Sequence, residues 1–356
     1  MSVEIGIDLG TNSVLVYVKD KGVILKEPTL VAWDRNTKKI KAIGEEARLM
    51  VGNTSGNVLP VCPFHNGKIV HYEAVEQMIK YFVQKAMGRR VFKKPRISIS
   101  VPAGATEQDR KAVETATYEA GARDVTLVEE PMAAALGAGI DISKSCGNLL
   151  VDIGGEVTDL TVISDGNVVA SKAIPAAGDA WDRAIIQYMR TEHHLLIGER
   201  VAEHLKMKLG TLDSTAPELF REVVGRVVET GAEATVEVSS QELLEPLQKV
   251  ARIIAKEIQV LLEETDPSLV QDIRERSVVL TGGGALLPGL EGWLETETGI
   301  ATLLAEEPLK VVAVGTGQYV EFMNAKQEAL KQEALKQEAM KDEAELNEND
   351  VSKMED

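Results

Sequence analysis

The stretch GIDLGTNS at Gly6–Ser13 has a counterpart much later in the chain, LLVDIGGEVTD at Leu149–Asp159. In each, a short apolar strand leads through an aspartate and small residues into a second β-prone run, at Val14–Val18 and Val157–Ile163. This pattern predicts two β-hairpins whose turns offer backbone N–H groups, an arrangement that suits phosphate. One such stretch is typical of an ordinary glycine turn, but its repetition predicts two similar lobes that face each other.

The aspartates and glycines of these loops predict a nucleotide site. Asp8 and Asp152 close the first strands of the two hairpins, where a carboxylate can hold the hydrated Mg²⁺ that accompanies the phosphates of a nucleotide. Gly10, Gly154 and Gly155 allow the backbone to approach those phosphates closely. We therefore predict that Asp8 and Asp152 are the metal-site residues.

A third glycine run, VVLTGGGALLPGL at Val278–Leu290, begins as a predicted buried strand. Its three successive glycines, Gly282, Gly283 and Gly284, exceed what a tight turn needs. We expect their backbone to lie against a ligand at the start of a helix.

Composition indicates a globular chain. Its 356 residues suffice for about two domains of ~150 residues each. We expect Cys62 and Cys146 to be reduced, buried thiols, since no secretory leader is evident. No run approaches the ~18 apolar residues of a transmembrane helix. The net charge of −17 argues against nucleic acid as a partner and requires any membrane contact to be local.

Apolar runs of strand type alternate with amphipathic helical segments, which predicts an α/β fold. The predicted strands are 3–9, 13–18, 97–101, 149–153, 157–163 and 277–280. The predicted helices are 73–87, 107–120, 179–192 and 243–264. Ser239 and Glu242 have capping-box spacing before the last of these helices.

Further motifs occur in the order and spacing of a known superfamily: LVEEPMAAALGAG at Leu127–Gly139, GERVAEHLK at Gly198–Lys206 and VGTGQYVE at Val314–Glu321. Together with the three glycine-rich stretches, they resemble the actin-like ATPase superfamily and, within it, the MreB-like bacterial actins. The resemblance runs from Val3 to about Phe322. It implies an actin-like ATPase fold, with two similar lobes divided into four subdomains around a nucleotide cleft, and it implies ATP or ADP with Mg²⁺ as cofactors.

The resemblance also implies domain limits. We place the first lobe at residues 1–142, with a small subdomain at about 33–75 and a return of the chain to this lobe at about 305–323. The second lobe spans 143–304, with its small subdomain at about 182–240. Residues 324–356 form an acidic tail with KQEAL repeats. The five-residue period rotates the apolar positions around a helix, which disfavours a coiled coil and favours a helical or disordered extension.

The resemblance assigns roles to polar residues around the cleft. Glu130 matches the carboxylate that positions the attacking water, a role that suits a fixed acceptor beside the terminal phosphate, and Thr158 is the second catalytic candidate. Glu203 and Lys206 match contacts to ribose and adenine, although their spacing on a helix also fits an exposed ion pair. The other nucleotide contacts that the resemblance implies are Gly10, Thr11, Asn12, Ser13, Gly154, Gly155, Gly178, Gly282, Gly283 and Gly284.

Two residues of the second loop depart from the pattern of the family. Glu156 stands where most members have a third glycine, and Val157 replaces a threonine. A carboxylate near the phosphates and the loss of a hydroxyl both oppose hydrolysis. We therefore expect a divergent paralogue that binds ATP and is a weak hydrolase at most.

The segment GRRVFKKPR at Gly88–Arg96 places Val91 and Phe92 between basic residues, in the position where some family members carry a membrane-inserting loop. Insertion of two apolar side chains, combined with attraction of the basic residues to anionic lipid, predicts a membrane contact here. The alternative is a basic turn whose Val91 and Phe92 pack on the first lobe.

The resemblance thus implies an ATP-binding protein that assembles with itself into filaments at the inner face of the cytoplasmic membrane and organises cell shape and wall synthesis. Its implied partners are further copies of the chain, an anionic membrane surface, and wall-synthesis and shape-determining membrane proteins. A filament scaffold that binds nucleotide with little or no hydrolysis is the main alternative. A heat-shock-chaperone-like ATPase is disfavoured because only a short tail follows the ATPase part, and a sugar kinase because no sugar-site pattern is evident.

Overall fold

The computed structural model describes residues 3–53, 57–65, 68–88, 94–323 and 326. Val91 and Phe92, for which the sequence predicts a membrane contact, lie outside the described residues. The acidic tail lies outside them as well, apart from Lys326.

Strands and helices alternate along the first part of the chain, as predicted. The elements are β1 (Glu4–Leu9), β2 (Ser13–Val18), β3 (Gly22–Pro28), β4 (Val31–Asp34), β5 (Lys39–Ile43), α1 (Glu45–Asn53), β6 (Val58–Val61), β7 (Phe64–His65), β8 (Lys68–Ile69), α2 (Tyr72–Met87), β9 (Arg96–Val101), α3 (Glu107–Glu119), β10 (Asp124–Glu129) and α4 (Glu130–Gly137).

The second part repeats this alternation. The elements are β11 (Asn148–Ile153), β12 (Thr158–Ser164), β13 (Asn167–Ile174), α5 (Gly178–Glu192), β14 (Leu195–Leu196), α6 (Glu199–Leu209), β15 (Phe220–Val227), β16 (Glu233–Ser239), α7 (Ser240–Glu263), α8 (Pro267–Arg276), β17 (Val278–Thr281), α9 (Leu290–Thr298), β18 (Thr302–Leu304) and α10 (311–323).

Two five-stranded sheets share one topology. Sheet 1 has the order β10-β9-β1-β2-β3, and sheet 2 has the order β18-β17-β11-β12-β13. In each, an antiparallel three-stranded meander continues into two parallel strands. The first hairpin of each meander is one of the two glycine-rich stretches, so the predicted duplication is a repeat of the whole sheet. The α/β prediction is confirmed.

The parallel strands decide where a ligand can lie. Strands β1, β9 and β10 are parallel, so their carboxyl ends share one edge of sheet 1. Strands β11, β17 and β18 do the same in sheet 2. Ligands of open α/β sheets bind outside the carboxyl ends of the strands, and both glycine-rich turns begin there.

Helix ends follow local sequence signals. Ser239 and Glu242 form the predicted capping box, with Glu242 N donating to Ser239 Oγ at 3.3 Å and Ser239 N donating to Glu242 Oε2 at 2.6 Å. Because this cap fixes the first turn, α7 begins at Ser240, three residues before the predicted start. Buried apolar residues along α7 and the fully buried Trp181 of α5 pack against sheet 2.

Two glycines bring α4 and α10 into close contact. A Cβ on Gly137 would overlap the carbonyl oxygen of Val311, and one on Gly315 would overlap that of Ala133. Farther along α10, a Cβ on Gly6 of β1 would lie 2.7 Å from the backbone nitrogen of Gly317. Helix α10 therefore packs on both sheet 1 and α4, and it can do so only because these positions lack side chains.

Smaller sheets lie within both predicted small subdomains. One has the order β5-β4-β6, and the other has the order β14-β15-β16. The lobe and subdomain limits themselves stay predictions, because the sheets define only which strands pair. None of the described helices is both long and apolar enough to cross a membrane. Both cysteines are free as expected, but the expectation of burial is wrong for both: Cys62 is exposed between β6 and β7, and Cys146 is only partly buried.

Candidate functional site

A cleft of about 680 Å³ contains nearly all of the predicted site residues. It is lined from sheet 1, sheet 2 and α6 together. The predicted residues that line it are Asp8, Gly10, Thr11, Asn12, Ser13, Glu130, Asp152, Gly154, Gly155, Gly178, Glu203, Lys206, Gly282, Gly283 and Gly284.

The two glycine-rich turns have matching geometry and contact each other. A Cβ on Gly10 would lie 2.8 Å from the carbonyl oxygen of Ser13, and one on Gly154 would lie 3.0 Å from that of Val157. These are the same positions of the two hairpins. Across the cleft, a Cβ on Gly155 would overlap the side chain of Asn12. Glycine is thus required where each turn folds back on itself and where the turns meet.

Thr158, the second predicted catalytic residue, does not line the cleft. Its side chain is fully buried, and its hydroxyl donates to the carbonyl of Ala176 at 2.6 Å. The neighbours Val157 and Asp159 line the cleft instead. Because side chains alternate along a strand, the residues on either side of Thr158 point to the opposite face. The Thr158 hydroxyl therefore does not face the cleft.

The start of α5 is joined to the second turn. The backbone N–H groups of Gly178 and Asp179 donate to the carbonyls of Gly154 and Gly155, at 3.1 and 2.8 Å. A Cβ on Gly178 would lie 3.3 Å from the carbonyl oxygen of Gly154. The second turn is therefore fixed in place by the first residues of the helix, and these N–H groups are already engaged.

Four carboxyls line the cleft without a compensating cation among the described residues: Asp8 is buried, and Asp152, Asp159 and Glu130 are partly buried. Burial raises the pKa of Asp8 from 3.8 to about 7, opposed by a 3.3 Å hydrogen bond from the Ser100 hydroxyl. Burial, and then the charges of Asp159 and Asp8, raise the pKa of Asp152 to about 7. Burial also raises the pKa of Asp159 to about 6.

Glu130, the first residue of α4, is the most perturbed of the four. Burial raises its pKa well above the ordinary value, and the nearby charges of Asp8, Asp159 and Asp152 raise it further. No described cation lowers the pKa of any of these four carboxyls. Such a set of uncompensated acids fits a cation carried into the cleft with a ligand.

The cleft carboxyls of the described residues do not form a site in which three or more side chains ligate a metal ion. Within the described parts of the chain, no group of three or more histidine, cysteine, aspartate or glutamate side chains is close enough to hold a metal ion. Asp8 and Asp152 line one cleft from opposite sheets. This arrangement suits a hydrated Mg²⁺, which keeps several waters and takes its other ligands from phosphates.

Lys206 does not form the simple ion pair with Glu203 that its helix spacing allowed. Its ammonium donates to Asp182 and to the carbonyl of Gly178, both at 2.9 Å. Glu203 lines the cleft on the same helix. Sequence reasoning missed Asp182, which lies on α5 and has no local signal.

Exposed apolar side chains also line the cleft. Met207, Leu286 and Leu309 line it and are 72%, 47% and 41% exposed. Large apolar groups left exposed in a cavity mark a place where an apolar ligand group can bind.

In the third glycine run, packing against neighbouring residues explains two of the three glycines. Gly282, at φ 84°, lies where a Cβ would overlap the Asp152 carboxylate, and a Cβ on Gly284 would overlap Ile153. Gly283 meets only Leu309, at 3.2 Å. A 3₁₀ turn (Gly284–Leu286) follows, and the next α-helix starts only at Leu290. Packing against β11 therefore explains Gly282 and Gly284, and the expected helix start is wrong.

Glu156 does not point into the cleft. Its carboxylate lies 3.4 Å from Nδ1 of His65, which belongs to β7 on the other side of the cleft. The geometry therefore does not support the expectation that the Glu156 carboxylate lies against the phosphates. Val157, in contrast, does line the cleft.

Other residues of the site carry no recognisable motif. Ser100 ends the run ISIS of β9, and its hydroxyl accepts from Leu9 N at 3.1 Å and contacts Asp8. Lys68 of β8 also lines the cleft. These residues reach the site because β9 and β8 lie beside β1 in space, which the sequence of either segment does not disclose.

Known proteins resemble the chain over most of its length. A family model described as MreB/Mbl protein matches residues 2–328. The cell shape-determining protein Mbl of Bacillus cereus is 46% identical over 318 residues, which cover 89% of this chain and 96% of Mbl. The cell shape-determining protein MreB of Escherichia coli is 40% identical over 326 residues, covering 90% and 94%.

Solved structures extend the comparison. The crystal structure of MreB5 of Spiroplasma citri bound to AMPPNP superposes with a TM-score of 0.85 at 33% identity, covering 92% of this chain and 99% of MreB5. A structure of the same protein bound to ADP gives the same TM-score. The MamK double helical filament, at 17% identity and a TM-score of 0.74 over 90% of this chain and 99% of MamK, shares the fold.

Proposed function

Because the chain belongs to the MreB/Mbl family of actin-like proteins, we propose that it is a cytoskeletal ATP-binding protein that forms filaments and determines cell shape. One observation carries the proposal: two equivalent phosphate-type turns, one from each sheet, meet in a single cleft. That arrangement suits a nucleotide whose phosphates lie between the two lobes.

The proposed nucleotide is ATP or ADP. Its phosphates would lie against the turns at Gly10–Ser13 and Gly154–Gly155, and its sugar and base near Glu203 and Lys206. The exposed apolar side chains that line the cleft, Met207, Leu286 and Leu309, suit a planar base. The AMPPNP and ADP complexes of MreB5 support this proposal, since that protein has the same fold and 33–34% identity.

We propose that Mg²⁺ accompanies the nucleotide. Asp8 and Asp152 would hold its waters, and their pKa values near 7 fit a site that is completed by a cation. When bound, the ion would offset the charges of the phosphates and of the cleft carboxyls. MgATP should raise thermal stability by about 2.7 kcal/mol at a hundredfold excess over its dissociation constant. An unchanged melting curve at millimolar MgATP would overturn nucleotide binding.

Hydrolysis is proposed to be slow. The Glu130 carboxylate would orient the attacking water through a hydrogen bond, as a fixed acceptor at the start of α4. Apolar Val157, directly before β12, lines the cleft where a hydroxyl would help, and the Thr158 hydroxyl donates to the carbonyl of Ala176. These two observations favour the alternative of a scaffold with little or no ATPase activity.

We further propose that the filaments lie at the inner face of the cytoplasmic membrane, where they organise wall-synthesis and shape-determining membrane proteins. Val91 and Phe92, flanked by basic residues, would contact anionic lipid. One copy would bind weakly, but a filament that presents many copies would bind tightly. The proposal rests on family membership and on this segment of the sequence.

Microscopy and sedimentation test the assembly. Negative-stain images of the full chain with MgATP, with and without anionic liposomes, should show filaments on the lipid surface. The variant Val91→Ser/Phe92→Ser should co-sediment less with liposomes yet still polymerise in solution. Equal co-sedimentation of parent and variant would refute the membrane contact, and absence of filaments under all conditions would refute self-assembly.

A further inference from the structure

The hairpin of β7 and β8 has two different faces. Phe64 pairs with Ile69, and His65 pairs with Lys68. Directly opposed residues of an antiparallel pair share one face of the sheet. Phe64 is 4% exposed, and it lines a small cavity beside Ile69 and Leu9. The apolar face of the hairpin therefore packs on the end of β1, so that His65 and Lys68 lie on the opposite face.

The opposite face is turned toward sheet 2. His65 Nδ1 lies 3.4 Å from Oε1 of Glu156, which directly follows the paired glycines of the second turn. This contact joins segments 91 residues apart, one from each side of the cleft. Lys68 shares the face of His65 and lines the cleft. The hairpin therefore presents a lysine to the cleft that both glycine-rich turns line.

Among the described residues, Lys68 is one of three lysines that line the cleft with those turns. The turns themselves, GIDLGTNS and DIGGEVTD, contain neither lysine nor arginine. Lys26 and Lys206 also line the cleft, but Lys206 is engaged by Asp182 and the Gly178 carbonyl. Lys26 belongs to β3 and pairs with Leu15 of β2, two residues along that strand from Ser13. Positive charge for a phosphate between the turns can thus come from Lys68.

We propose that Lys68 binds the terminal phosphate of ATP and distinguishes ATP from ADP, and that the His65–Glu156 contact positions its hairpin for this. The inference rests on the proposed nucleotide binding. An ammonium donating to a phosphate oxygen is a charge-assisted hydrogen bond, one of the strong kinds in proteins. Because ADP ends one phosphate earlier, the contact favours ATP. It also gives Glu156 a positioning role in place of a direct effect on hydrolysis.

Affinities of the full chain for AMPPNP and for ADP, each with Mg²⁺, test the proposal. AMPPNP avoids turnover during the titration. Lys68→Met should weaken AMPPNP binding about tenfold and change ADP binding less than twofold, and Lys68→Arg should restore most of the loss. The matched control is Lys21→Met, an exposed lysine between β2 and β3 outside the cleft, which should change neither affinity.

The proposed role of the His65–Glu156 contact in positioning the hairpin is tested by separate substitutions. His65→Ala and Glu156→Gln should each lower the ratio of AMPPNP to ADP affinity by about two- to fivefold, and neither should lower it further when Lys68 is already Met. Equal weakening of both nucleotides by Lys68→Met, or of neither, would overturn the inference while leaving nucleotide binding intact. Failure of the parent to bind either nucleotide would instead overturn the proposed function and this inference with it.

Discussion

Replacing Asp152 by asparagine should stabilise the protein in the absence of nucleotide. Asp152 ends the first strand of the second hairpin, and burial together with the charges of Asp159 and Asp8 raises its pKa from 3.8 to about 7. Ionising this carboxyl in the folded protein is therefore costly. Asparagine keeps the shape of the side chain and carries no charge, so Asp152→Asn removes that cost.

The sign and size of the effect follow from linkage. Between pH 3.8 and 7 the folded protein binds more protons than the unfolded chain, so the free energy of unfolding falls as pH rises through this window and stays low above pH 7. A shift of about 3 pKa units, at 1.36 kcal/mol each, sets an upper bound of about 4 kcal/mol. The variant should therefore exceed the parent in stability at pH 8, and the gap should close toward pH 4.

The same substitution should remove the response to magnesium. Above pH 7 the parent presents ionised carboxyls to a cation, so ATP with Mg²⁺ should stabilise it more than ATP with a chelator. At pH 6 this difference should shrink. In Asp152→Asn, Mg²⁺ should add little at either pH.

Thermal unfolding followed by circular dichroism, at several pH values with and without MgATP, provides the measurement. Asp20→Asn is the matched control, because Asp20 is exposed between β2 and β3 and its positive φ suits asparagine. That variant should follow the parent throughout. The reasoning is refuted if Asp152→Asn melts at or below the parent at pH 8 without nucleotide, or if it keeps the full magnesium-dependent gain.

Three further changes test the close crossing of α4 and α10 and the proposed hydrolytic site. Gly315→Ala should cost about 1–3 kcal/mol of stability because a Cβ overlaps α4, whereas Gly292→Ala on α9 meets open space and should not destabilise; equal melting of the two variants would contradict the close crossing. Val157→Thr should raise phosphate release under polymerising conditions at least about tenfold, or about 1.4 kcal/mol of barrier, and an unchanged rate would show that Val157 does not limit turnover. Glu130→Gln should slow single-turnover hydrolysis by about 100-fold with ATP affinity kept, and undiminished hydrolysis would remove Glu130 from its proposed role.

Features that depend only on residues close together in the chain could be predicted from the sequence. A strand, a turn of small residues and a second strand are local, so both hairpins were identifiable, and with them the repeated α/β unit. The capping box at Ser239 and Glu242 is local as well, and it fixes the start of α7 in the structure. Asp8 and Asp152 end equivalent strands of the two different sheets, and the packing of the sheets brings both to one cleft.

Features that depend on pairing between distant segments could not be predicted. The partner of Lys206 is Asp182 on another helix, and the partner of Glu156 is His65 on the other side of the cleft. Thr158 illustrates a second kind of difference between the sequence-based expectation and the structure. The resemblance assigns its role from its position in a motif. In the structure its hydroxyl donates to the Ala176 carbonyl, and its neighbours Val157 and Asp159 line the cleft instead.

The distribution of charge in the cleft links nucleotide to the relation between the lobes. Asp8 and Glu130 come from the sheet 1 side and Asp152 and Asp159 from the sheet 2 side, and the pKa values of Glu130 and Asp152 are each raised by charges from the other side. Without a cation these carboxyls repel across the cleft, so ionising them favours separation of the two sides. A bound cation would reverse that preference, because both sides would then be attracted to it. We expect the close crossing of α4 and α10, where Gly137 and Gly315 contact backbone directly, to act as the pivot of that response. We therefore expect nucleotide to act on this protein first by changing the angle between its lobes, and a slow ATPase would suffice for that role.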